Sequence, residues 1–185
     1  MAVTLPGMLV LLVLAVGGGP AQGFLALSAA RPYIEPPPPA LPTALPANVT
    51  IEKHDLGVVD GMLRASPTFR QQCARIGRVS TLRVIVSRSL AVPMRSDTAT
   101  TTVLRGGDGR VSEARVYISA AANLVELLAH EFEHILEQLD DVDLATLAAR
   151  PDSGVSFDPV TLRYETVRAI AAGEHVAAEV SRARR

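Results

Sequence analysis

The stretch AAANLVELLAHEFEHILEQLDD, residues 120–141, narrows the fold of this chain more than any other, because it runs through 22 positions without a glycine or proline. Leu124, Leu127, Leu128, Ile135 and Leu139 recur at the spacing of one helical face, which predicts an amphipathic helix, with Ser119 placed to cap it. Such a helix has to bury its apolar stripe against a second layer. Strand signals upstream supply that layer: TLRVIVS (81–87) and ARVYIS (114–119) alternate, and ATTTVLR (99–105) is rich in threonine and valine. Gly-Gly-Asp-Gly at 106–109 predicts a hairpin between the last two. The expected fold is α+β, a small and mostly antiparallel sheet of about three strands packed on this helix.

Two further helices flank the sheet in the expected order. Residues 65–77 carry Ser66 at the N-cap, Pro67 at the first helical position and Gly77 at the end, with Phe69, Cys73 and Ile76 at core spacing. Residues 163–182 form the last helix, after a loop containing Pro151, Gly154 and Pro159. The single cysteine excludes an internal disulfide and any multi-cysteine zinc framework, so Cys73 reads as a small buried hydrophobe.

The amino-terminal third has a different character. Positions 1–30 contain no charged side chain, and Met8–Val16 is an apolar run of signal-peptide length, well short of the roughly 20 residues that span a bilayer. Residues 1–23 are expected to be a signal peptide, with Ala21-Gln22-Gly23 or Ser28-Ala29-Ala30 supplying the small residues of the cleavage site. The run lacks a basic n-region, which keeps an uncleaved membrane anchor as the alternative. Residues 24–48 form a proline- and alanine-rich linker that favours extended polyproline conformation, and the folded domain is expected over 49–185. These features place the domain outside the cell or in its envelope. Net charge is −1 and the pI is near 6.4, so no basic face for nucleic acid is expected.

Within the helix, His130 and His134 lie four apart and project from one face, close enough to offer two imidazole nitrogens to one metal ion. Glu131, rotated by about 100°, can reach a water beside that ion and take its proton. This His-Glu-Phe-Glu-His segment resembles the H-E-x-x-H active-site helix of the zincin metallopeptidases. The resemblance implies Zn²⁺ as cofactor, Glu131 as general base, and a peptide or protein substrate bound as an extended strand. It also implies that the strand before the motif helix, 114–119, is the sheet edge that receives the peptide.

A catalytic zinc site needs a third protein ligand. The glycine-and-histidine extension of the metzincins is missing, since Glu137 and Asp140 stand at those positions. Glu165 is the expected third ligand, because it extends the small apolar stripe Ala169, Ala172, Gly173, Val176 and Val180 of the last helix; Glu179 is the alternative. The site is then similar to that of the gluzincins, although Ala169 stands where that group carries an aspartate. Glu137 is a candidate to orient an imidazole, and Tyr164 to stabilise an oxyanion. Glu174 and His175 fall off the stripe, His54 stands outside every pattern, and Arg115 and Tyr117 alternate toward solvent.

The residues therefore point to an exported zinc-dependent hydrolase, a metallopeptidase. A non-catalytic zinc-binding envelope or adhesion protein on the same scaffold is the alternative. A di-iron carboxylate centre would need a second Glu-x-x-His on another helix, and the chain has none.

Overall fold

The computed structural model describes residues 41–89, 99–120 and 122–185. The expected signal segment, and the linker as far as residue 40, lie outside the described residues. Strand β1 (Val49–Ile51) leads through a single 3-10 turn (Lys53–Asp55) into helices α1 (Leu56–Ala65) and α2 (Pro67–Gly77). Strands β2 (Arg83–Ser89), β3 (Ala99–Arg105) and β4 (Val111–Ser119) follow, and then the long helix α3 (Leu124–Leu139). A short helix α4 (Leu144–Ala148), a hairpin of β5 (Val155–Asp158) and β6 (Arg163–Thr166), and helix α5 (Val167–Ala183) complete the chain.

The class is α+β, but the sheet corrects the expected topology. Among the described residues it has four strands in the order β1-β2-β4-β3, of whose pairings only β3–β4 is antiparallel. Both β1–β2 and β2–β4 are parallel. The parallel β1–β2 pair follows from the crossover through α1 and α2, an arrangement that hairpin signals cannot report. The second correction concerns the edge: β4, expected there, is an interior strand, and β3 takes the edge. Side-chain chemistry explains the exchange. Val111, Ala114, Val116 and Ile118 of β4 are buried, whereas threonine-rich β3 has no fully buried position, as suits the outer strand of the four described. Between them, the expected hairpin forms at 106–109, with Gly109 at φ +77° in the left-handed region that glycine adopts without strain.

One face of the sheet is covered. Val84, Val86, Val116 and Ile118 meet Phe69, Cys73, Leu128, Phe132, Leu136 and Val176 in a single core, while Arg115 on the opposite face is exposed. Helix α2 starts as its sequence predicts, with the Ser66 hydroxyl accepting from the Phe69 N–H at 2.9 Å. Cys73 is fully buried, and burial pushes its thiol up to about 12, so it is a packing residue. Helix α3 starts later than expected: Ser119 ends β4, and Asn123 is the N-cap residue.

Helix α5 packs along α3, and the two come close at Gly173. A Cβ at that position would stand 2.9 Å from the Glu126 carbonyl oxygen and 3.2 Å from the His130 Cβ. Among the described residues, no helix is long and apolar enough to cross a membrane.

Candidate metal centre

Helix α3 buries three carboxylates, Glu131, Glu133 and Glu137. A buried carboxylate is costly without partners, and each of the three has them. Glu133 accepts from Gln72 Nε2 at 2.8 Å and from Arg168 Nε at 2.6 Å, tying the helix to α2 and α5. Glu131 accepts from the Thr101 hydroxyl of edge strand β3 at 2.6 Å. Burial pushes the Glu131 carboxyl above its ordinary value, and the Thr101 hydrogen bond offsets only part of that rise. Glu137 meets His134 and the Thr166 hydroxyl.

His130 and His134 stand one turn apart with their rings edge to face, centroids 4.8 Å apart. Their Nε2 atoms are 3.2 Å from each other. Glu165 Oε1 completes the triangle at 3.3 Å from His130 Nε2 and 3.6 Å from His134 Nε2. Ligands held tetrahedrally at the usual zinc bond lengths of about 2.0–2.1 Å are separated by about 3.3 Å. The three donor atoms therefore already have the spacing that such an ion requires, and the donor set of two imidazoles and one carboxylate suits zinc. Among the described residues, these three form a group whose donor atoms lie close enough together to hold a metal ion.

Glu165 reaches this position from an element other than the expected one. It lies in β6, and α5 begins at Val167, with Thr166 as its N-cap. Extended backbone at Tyr164 and Glu165 replaces the first turn of the helix, because 163–166 pair with 155–158 in the β5–β6 hairpin. Glu165 is about half exposed, consistent with its place at the rim of a cleft. Burial raises its pKa, but the two imidazoles and the Thr166 N–H outweigh that effect and hold it well below the usual carboxylate range.

The other candidates separate clearly. Glu137 Oε2 is 2.8 Å from His134 Nδ1, where it orients that ring and leaves Nε2 facing the centre. Burial lowers the affinity of metal-free His134 for protons, but Glu137 and Glu165 reverse the effect and raise its pKa to about 10. Tyr164 lines the cleft and packs against Phe157 with the rings tilted by 38° and centroids 4.9 Å apart. Glu179 lies outside this group: its carboxylate accepts from the Ser66 hydroxyl and from Thr68 at the start of α2. His175 pairs with Glu179 at 3.3 Å on an exposed surface, and His54 is also exposed, next to Glu52 and Asp55.

The centre opens into a cleft of about 1330 Å³. Edge strand β3 forms one wall and the β5–β6 hairpin the other, with His130, Glu131 and His134 between them. At the hairpin, Val160 and Leu162 are 88% and 73% exposed and line the same cleft. Neither this hairpin nor the partners Thr101 and Thr166 stand out in the sequence. Thr166 does carry a local signal, since a threonine three residues before Ala169 at a helix start is a cap pattern.

Comparison with protein-family models, curated proteins and solved structures finds no match. The functional reading rests on the geometry of the site.

Proposed function

We propose that this protein is an exported zinc-dependent hydrolase, a metallopeptidase whose zinc is held by His130, His134 and Glu165. The observation that carries the reading is the convergence of His130 Nε2, His134 Nε2 and Glu165 Oε1 at tetrahedral spacing, with the buried carboxylate of Glu131 on the same helix. When bound, zinc supplies Lewis acidity, polarising a carbonyl and lowering the pKa of water to near neutrality.

The protein's own groups do the rest. Glu131 takes a proton from the water that attacks the substrate carbonyl carbon, and passes it to the departing nitrogen as the C–N bond breaks. The Thr101 hydroxyl holds the carboxylate in place for both transfers. Tyr164 lines the cleft, where its hydroxyl is the candidate donor to the oxygen that gains charge. Among the described residues β3 has no strand on its outer side, so an extended peptide adds to it and lies between β3 and the hairpin. The apolar run at 8–16 and the proline-rich linker support export of the domain.

Zinc content per chain tests the reading, measured on the full-length protein and on His130→Ala and Glu165→Ala. Near-stoichiometric zinc in the wild type, lost in both variants, is the expected result, and a metal-free wild type under zinc-replete conditions would overturn it. Glu131→Gln is expected to keep its zinc and to lose roughly 10²–10⁴-fold in peptide hydrolysis. Zinc binding with no hydrolysis of any unstructured peptide by the wild type would instead favour the non-catalytic zinc-binding protein.

A further inference from the structure

Thr166 is buried at 3% exposure, where β6 passes into α5, and it makes three hydrogen bonds that meet around the metal centre. Its backbone N–H donates to Glu165 Oε1 at 2.8 Å, the oxygen that faces both imidazoles. Its hydroxyl lies 2.6 Å from Glu137 Oε1 and accepts from the Ala169 N–H at 2.9 Å. Glu137 Oε2, in turn, is 2.8 Å from His134 Nδ1.

With the Glu137 carboxylate as acceptor, one direction runs through this chain of bonds. The Ala169 N–H can only donate, so the Thr166 oxygen accepts there and its single proton is left for Glu137. An ionised carboxylate can only accept. With Oε1 serving Thr166, Oε2 accepts the Nδ1–H of His134, and the lone pair of a neutral His134 ring is on Nε2, toward Glu165 and His130.

We infer that Thr166 is the positioning residue of the metal centre, joining the third ligand to the imidazole of His134 through one side chain and its own backbone. The inference rests on the zinc reading above and adds to it a residue that touches neither metal nor substrate. A helix cap has no need of Glu137: capping is complete once the hydroxyl accepts from Ala169. The hydrogen bond to Glu137 is the surplus, and it leads only to His134. Threonine also suits the extended backbone here, φ −128° and ψ 142°, better than a residue without a β-branch.

The test is zinc affinity, measured by chelator competition on the full-length chain, for wild type, Thr166→Val, Thr166→Ser, Glu137→Gln and the Thr166→Val/Glu137→Gln double variant. Thermal midpoints of the metal-free proteins report the capping role separately. Thr166→Val is expected to weaken zinc binding roughly 10- to 100-fold, the usual loss for a group that orders a metal-bound histidine. Thr166→Ser is expected to bind within about threefold of wild type, and adding Thr166→Val to Glu137→Gln to cost less than about threefold more, because the two act in series. A Thr166→Val protein with a lowered midpoint but unchanged zinc affinity would overturn the inference and leave the zinc site standing. An equally large loss of affinity from Thr166→Val in the Glu137→Gln background would also overturn it. A wild type that binds no zinc would remove both.

Discussion

His134 shows how strongly a few neighbours can set the chemistry of one residue. Glu137 and Glu165 raise its pKa to about 10 in the metal-free protein, well above the ordinary value near 6.5. Its charged form therefore contributes stability that is fully present below about pH 6.5 and is lost as pH rises toward about 10. Metal-free protein is expected to show a thermal midpoint that falls across that window, and His134→Gln to flatten the fall; an unchanged pH slope in the variant would show that other groups carry it. The same proton competes with a metal for Nε2, so zinc affinity should rise with pH over this range. Glu131 differs, since its carboxylate rests on Thr101 and burial is the main influence on it. The i, i+4 histidines and the adjacent glutamate were legible in the sequence because helical phase is local. Thr101 was not, because it lies 30 positions away and meets Glu131 only through the packing of β3 on α3.

Among the elements, the contact of α3 with α5 matters most for the site. Gly173 lets the two backbones approach, with the His130 Cβ only 3.2 Å from where a side chain would begin. Gly173→Ala would gain about 1 kcal/mol of helix propensity, but the nearest atom, at 2.9 Å, is backbone and cannot swing aside. The helices would have to separate. The net effect is expected to be destabilisation by about 1–3 kcal/mol together with weaker zinc binding, read by urea unfolding and zinc titration of the same samples; a more stable variant with unchanged affinity would contradict this packing. Of the stripe Ala169, Ala172, Gly173, Val176 and Val180 expected to pack, all are buried except Ala172, which is partly exposed. Glu165 was assigned to the same stripe, whereas it lies in β6. Periodicity alone continues the helix four residues too far toward the amino terminus, because pairing with β5, a non-local interaction, takes 163–166 into a strand.

For the whole molecule, the three converging groups come from two parts of the chain, α3 and the β5–β6 hairpin. An ion bound by both would join the second wall of the cleft to the core, and binding to the folded state alone stabilises it. Zinc at a hundredfold excess over its dissociation constant is expected to add about 2.7 kcal/mol and to raise the thermal midpoint by roughly 5–10 °C. Chelator should reverse the shift, and Glu165→Ala should abolish it; a shift that survives in Glu165→Ala would point to another site. Features that depend on neighbours along the chain are legible in the amino-acid order: the Ser66 cap of α2, the glycine hairpin between β3 and β4, and the shared face of His130 and His134. Tertiary structure alone decided that β3 and not β4 is the edge strand, that Glu165 approaches the histidines from an extended segment, and that Glu179 instead serves the start of α2. The reason is physical: hydrogen bonds within a turn or helix are set by local spacing, whereas strand order and the meeting of distant side chains depend on how the whole apolar surface is buried at once.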